Sequence, residues 1–171
     1  MRRNPDRMTR HRRSGQALVE FALIFPIFVI LLMLFFDFGR AIFAYNNVSN
    51  AARLGGRTAI VNQVVADIRA RAAAQAIGLA IPTSDPLLNC PANGGPPGSA
   101  VPAGICVKIL ERDMVTTCSP VRIGCVAVVS VKYTFRPNTP VIGNIISSIP
   151  VSYTTKQTIE ATCDGGGCTT P

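Results

Sequence analysis

The chain has 171 residues, enough for one domain at the usual ~100–200 residues per domain. Only 15% are charged, below the roughly 25% of a typical soluble domain, yet the net charge is +8. Sixteen consecutive residues, Phe21 to Phe36, carry no charge; this argues against a simple cytosolic enzyme and against a disordered chain. The one histidine, His11, lies in a basic N-terminal tail, so the body offers no histidine for a catalytic triad or a His-ligated zinc.

The charge is placed asymmetrically. Residues 1–15 hold six arginines and one acid, a local +5 out of the +8. A basic stretch before an apolar run fits the positive-inside rule, with the tail in the cytoplasm and the rest exported. Nucleic-acid binding is the weaker reading, because no recognition motif accompanies the charge.

Ala17 to Phe36 follows, 20 residues that as a helix reach ~30 Å, the thickness of a bilayer core. The run ends in Phe35-Phe36-Asp37-Phe38-Gly39-Arg40 without a small-residue cleavage pattern, so it reads as a retained anchor rather than a removed signal peptide. Glu20 is the one acid inside it. Near a helix end it either reaches interfacial water or meets a positive partner, such as the new amine created by a cut before Gln16.

Beyond the span, Phe38, Ala41, Ile42, Tyr45, Val48, Ala52 and Ala59 recur at helical spacing, which predicts one continuous helix to about Val61. Gly55-Gly56 is a possible interruption. Together with Ala51-Ala52 these small residues suit close approach, either to the chain's own body or to a neighbouring subunit. Val64 to Leu79 reads as a second amphipathic helix stopped by Pro82 and Pro86. Residues 82–104, rich in Pro, Gly and Asn, read as a long loop whose length hints at exposure or binding. Strands are expected at Ile105–Glu111, Cys125–Phe135 and Val151–Ala161. In the second, Ala127, Val129, Val131, Tyr133 and Phe135 form the core face. Arg136–Pro150 reads as a short helix folded back on the sheet, with a membrane-touching patch as the alternative. Gly165-Gly166-Gly167 reads as a flexible tail.

All six cysteines, Cys90, Cys106, Cys118, Cys125, Cys163 and Cys168, follow the apolar run, which suits disulfides in an oxidising compartment. They allow fifteen pairings, among which spacing does not decide. The expected framework closes short loops at Cys118–Cys125 and Cys163–Cys168, leaving Cys90–Cys106 to pin the long loop to the first strand. The carboxylates show no spacing that makes a paired acid–base site. The fold expected is therefore α+β: a long membrane-spanning helix, a second helix, and a small antiparallel sheet with disulfides. No cofactor or metal is expected.

The text Arg12-Arg13-Ser14-Gly15-Gln16-Ala17-Leu18-Val19-Glu20-Phe21 resembles a type IV prepilin cleavage site. With Pro26, Phe38-Gly39-Arg40 and Ala51-Ala52-Arg53-Leu54-Gly55-Gly56-Arg57, the stretch over about residues 12–60 resembles the TadE-like pseudopilins of tight-adherence (Flp-type) systems. The resemblance implies a leader over residues 1–15, an assembly helix over 16–62 and an exported domain over 63–171. It implies cleavage between Gly15 and Gln16 by a prepilin peptidase, and an assembly role for Glu20. The implied partners are that peptidase, other pilins and pseudopilins, the inner-membrane assembly platform and the lipid bilayer, with no nucleic acid. The implied location is the inner membrane, single-pass, with the N-terminus cytoplasmic. The competing function is an uncleaved bitopic envelope protein whose exported domain binds a ligand or surface.

Overall fold

The computed structural model describes residues 6–83, 90–98, 100–139, 143–144, 146–164 and 167–169, with side chains described between 15 and 162. Helix α1 runs unbroken from Asp6 to Val61, 56 residues, or ~84 Å at 1.5 Å per residue. The second helix, α2, spans Val65–Gln75. Strands β1 (Ala103–Leu110), β2 (Val126–Phe135) and β3 (Ile149–Thr158) form an antiparallel sheet in the order β1-β2-β3. A two-stranded ladder, β4 (Thr162–Asp164) with β5 (Gly167–Thr169), follows. This is the α+β architecture expected. Gly167 belongs to β5 rather than to a featureless tail.

From Leu18 to Phe36 the large apolar side chains of α1 are exposed except Val29, which is half-buried. Pro26 lies within the helix; it removes one backbone N–H, which a long helix tolerates in a membrane when the freed carbonyl finds another partner.

The second half of α1 is a core element. Ala44, Val48, Ala51, Ala52 and Ala59 are buried against the sheet, a stripe with helical spacing. Of the face expected from periodicity, Phe38, Ile42 and Tyr45 stay exposed instead. The reason is steric: helix and sheet meet through small residues, and the bulky ones are displaced to the outside.

The two glycines mark the closest approach. A Cβ on Gly55 would stand 2.9 Å from Val129 Cγ1 and 3.1 Å from the Ala72 Cβ, and one on Gly56 would stand 2.6 Å from Thr155 Cγ2. Gly55-Gly56 therefore does not interrupt α1; it seats the helix on β2, β3 and α2 of the same chain.

Helix α2 buries Ile68 and Ala72. Asp67 in its first turn suits the positive end of the helix dipole and accepts a hydrogen bond from Asn62 Nδ2 at 3.0 Å. The helix ends earlier than expected. Ala76 is its C-cap, and Gly78 adopts φ +75°, a left-handed conformation that glycine enters without a Cβ penalty. Pro82 lies beyond a helix that has already turned.

Both faces of β1 and β2 are covered. Ile105, Val107, Ile109, Ala127, Val129 and Val131 pack under the helices, as expected for β2. On the other face Val128, Ser130 and Lys132 are also buried, under residues 90–98. Ser130 Oγ donates to the Gly94 carbonyl at 2.6 Å, and Lys132 Nζ donates to those of Gly98 (2.7 Å) and Pro97 (3.3 Å). Gly94, at φ +71°, comes so close that a Cβ there would meet Val128 Cβ at 2.7 Å. The described part of the long loop is thus a third layer rather than a free binding loop. The Cys90–Cys106 disulfide, with Cα atoms 5.6 Å apart, staples it to β1.

Candidate membrane-anchoring and assembly site

Three stations along α1 matter: its start, its exit from the apolar segment, and the domain it carries. At the start, Gly15, Gln16 and Glu20 lie on one uninterrupted helix, all exposed. A Cβ at Gly15 would meet nothing within 4 Å, so nothing in the chain's own packing demands glycine there. Glu20 has no ion-pair partner among the described residues. The folded domain therefore neither covers nor contacts these positions. One turn on, Phe21 and Phe25 stack with ring centroids 5.3 Å apart, the i,i+4 pairing a helix surface allows.

The exit is built around Asp37, which the sequence reading passed over. It directly follows the 20-residue apolar segment and is buried. Its Oδ2 accepts the Thr139 backbone N–H at 2.8 Å and the Thr139 hydroxyl, while its Oδ1 accepts the Asn138 N–H at 3.2 Å and pairs with Arg40 at 3.2 Å. The Thr139 hydroxyl is the main cause holding Asp37 below the ordinary Asp range; desolvation opposes it, and the two backbone N–H groups and Arg40 reinforce it. The Arg40 guanidinium also lies over the Phe135 ring, 5.5 Å from its centroid, a favourable cation–π placement. Asn138 and Thr139 are thus tied to the helix. Helical backbone in this stretch is described only at residues 143–144; Pro140, Val141, Ile142 and Ile145 lie outside the described residues.

The far end of the domain is a turn between β1 and β2. Cys118 and Cys125 form the expected disulfide there, with Cα atoms 6.2 Å apart. Arg122 donates to Glu111 at 2.8 Å. Asp113 accepts the Thr116 hydroxyl at 2.6 Å and the Val115 and Thr116 N–H groups at 3.0 Å, which together keep its carboxyl below the ordinary range, the hydroxyl most. Glu111 with Cys118 and Cys125 is the cluster of metal-type donors among the described residues, and both sulfurs are already spent in the disulfide. Cys163 and Cys168 face each other as Cα partners across β4 and β5; their side chains lie outside the described ones.

The apolar helix, long enough to cross a membrane, leads without a break into residues that seat it on its own domain. The family model that matches this stretch is that of TadE-like proteins.

The TadE-like match covers residues 15–57. It begins at Gly15, includes Glu20 and Asp37, and ends one residue past Gly56. It therefore takes in the exposed apolar segment and most of the buried half of α1, but none of α2 or the sheet. No curated protein and no solved structure matches the chain.

Proposed function

We propose that this chain is a membrane-anchored minor pilin or pseudopilin that takes part in assembling a Flp/Tad-type adhesion pilus. The observation that carries the reading is the coincidence of the TadE-like match over residues 15–57 with one continuous helix whose apolar segment, Leu18 to Phe36, leaves nearly all its large side chains exposed. In this reading residues 1–15 are a leader removed by a prepilin peptidase. Residues 16–62 are the anchoring and assembly helix, and residues 63–171 complete the exported domain. The N-terminus is cytoplasmic and the domain lies outside the inner membrane. The chain is a substrate of the peptidase and a subunit of the assembly, not itself an enzyme.

The exposed apolar helix serves two successive environments. In the bilayer it faces lipid. In an assembly it packs on the equivalent helices of other pilins, a change that exchanges one apolar surface for another and so demands little apolar free energy. Glu20 supplies register, because an acid among apolar helices is stabilised only beside a positive charge, and a processed neighbour's amine is that charge.

Glu20→Ala and Glu20→Gln test this role. Both variants are expected to insert and to be cleaved after Gly15, since removing an acid lowers the cost of insertion. Incorporation into filaments, or co-purification with partner pilins, is expected to fall sharply in both. Normal assembly by both would reduce Glu20 to an interfacial residue and remove the assembly role.

A further inference from the structure

The outward side of the α1–α2 pair is a groove. Near the turn between the helices, a cleft of ≈ 580 Å³ is lined by Leu54, Thr58 and Val61 of α1 and by Asp67, Ala70 and Arg71 of α2. A second cleft of ≈ 410 Å³ shares Leu54 and continues down α1 to Asn50, where α2 contributes Gln75. Numbers fall along α1 as they rise along α2, so the helices lie antiparallel and the two clefts form one channel. From Val61 to Asn50 it runs ~16 Å, about three helical turns.

Its floor is apolar and its walls are basic. Leu54 is half-buried and Val61 is 51% exposed, while the Thr58 hydroxyl donates to the Leu54 carbonyl of its own helix at 3.0 Å. Arg53, Arg57 and Arg71 line the walls and are exposed. The ion pairs among the described residues lie elsewhere, at Asp37–Arg40 and Glu111–Arg122. Asp67 is the one acid in the lining, and its Oδ2 accepts from Asn62 Nδ2 at 3.0 Å. Arg53 lies over the Tyr153 ring, 5.4 Å from its centroid, which holds the guanidinium without cancelling its charge. Arg53 and Arg57 stand at i,i+4, a like-charge spacing that slightly weakens a helix. The groove thus keeps positive charge that its own chain leaves unneutralised.

Three occupants fit poorly. With residues 17–36 spanning the bilayer, Asn50 stands fourteen residues past Phe36, ~21 Å along α1 and beyond a headgroup layer of about 5–8 Å. Lipid is therefore out of reach. A second copy has the wrong charge: past Phe36, α1 and α2 carry Asp37 and Asp67 against five arginines, and Asp37 is buried on Thr139. Nucleic acid would offer phosphate to the walls but nothing to the apolar floor.

We propose that this groove receives an acidic amphipathic helix of a partner protein. Its apolar seam lies on Leu54, Val61 and Ala70. Carboxylates one turn apart, ~6 Å along the axis, face Arg53 and Arg57, and another meets Arg71. Apolar anchors give such a helix its seat and the charges give it register and partner choice. The inference concerns the exported domain and does not depend on cleavage after Gly15 or on Glu20.

The probes are fluorescein-labelled stapled helices of about three turns, alike in their apolar seam, with Glu, Gln or Lys at the flanking positions. Each is titrated with the full chain in detergent micelles and followed by anisotropy. The Glu helix is expected to bind saturably and about tenfold tighter than the Gln helix, the sum of two or three exposed charge pairs, with the Lys helix weakest. Arg57→Glu with Arg71→Glu, checked for folding by circular dichroism, is expected to reverse the order so that the Lys helix binds best. Equal binding of the Glu and Gln helices to the parent chain overturns the proposal, whatever the double variant does. An unreversed order in a folded double variant also overturns it, since binding then lies elsewhere. A single-stranded oligonucleotide that competes as well as the Glu helix makes the groove a general polyanion site and overturns the helix. Displacement of the Glu helix by unlabelled excess of the full chain assigns the groove to a second copy and overturns the partner.

Discussion

Adding one methyl group to α1 is expected to have opposite effects at two glycines. At Gly39 the added Cβ meets nothing within 4 Å, so Gly39→Ala gains only the lower backbone entropy cost of alanine in a helix, about 0.5–1 kcal/mol. At Gly55 the same gain is opposed by contacts of 2.9 Å to Val129 Cγ1 and 3.1 Å to the Ala72 Cβ. Neither can yield cheaply. Val129 is fully buried in the central strand and stiff at χ1, and the Ala72 Cβ moves only with the backbone of α2. Overpacking of this kind costs about 1–3 kcal/mol, which exceeds the helix gain and leaves Gly55→Ala less stable by about 1–2 kcal/mol. At roughly 2–4 °C per kcal/mol for a chain of this size, Gly55→Ala should lower the Tm by about 2–8 °C and Gly39→Ala should raise it by about 1–4 °C. Thermal unfolding of the full chain in detergent, followed by circular dichroism, measures both. If Gly55→Ala raised the Tm as Gly39→Ala does, the close helix–sheet seat would be wrong.

Two further perturbations follow from the loop layer and the membrane exit. Cys90→Ser with Cys106→Ser frees the loop from β1; closing a loop of separation 16 stabilises by about 3 kcal/mol on the chain-entropy account, so the pair should unfold earlier in denaturant than the parent, while reductant should no longer affect this part of the stability. Asp37, held below the ordinary Asp range mainly by the Thr139 hydroxyl, binds its proton less readily folded than unfolded. Its contribution is therefore complete above the unfolded value and lost as the pH falls through the folded one. Amide exchange at Asn138 and Thr139 should quicken under acid relative to the β2 amides, and Thr139→Val should move that onset to higher pH; an onset unchanged by Thr139→Val would dismiss the tether.

Legibility in the sequence followed the range of the interaction. The strand segments were readable because alternation is local: β2 begins one residue, and β1 and β3 two residues, from the expected starts. The end of α1 at Val61 was readable for the same reason. The core stripe of α1 was only half readable. Periodicity weights large apolar residues, whereas close helix–sheet contact selected Ala44, Ala51 and Gly55. The prolines point to an α2 that runs to Leu79, whereas the left-handed Gly78 follows a helix that ends at Gln75. The burial of Ser130 and Lys132 was illegible, since both look like the wet face of a strand until a loop more than thirty residues away supplies carbonyls. Asp37 and Thr139 stand 102 positions apart, and no local pattern connects them. Glu20 stands out in the sequence as the one acid of an apolar segment, whereas Gly15 and Gln16 are singled out by resemblance.

The central claim is that this is a pilin-type precursor, and the mature N-terminus tests it most directly. Intact-mass analysis of the protein recovered from membranes of cells with an active prepilin peptidase should give a chain beginning at Gln16, lacking the fifteen leader residues, and Gly15→Leu should leave the precursor uncut in the same membranes. A membrane-bound parent chain that still begins at Met1 under those conditions would contradict the account and return the protein to an uncleaved bitopic anchor.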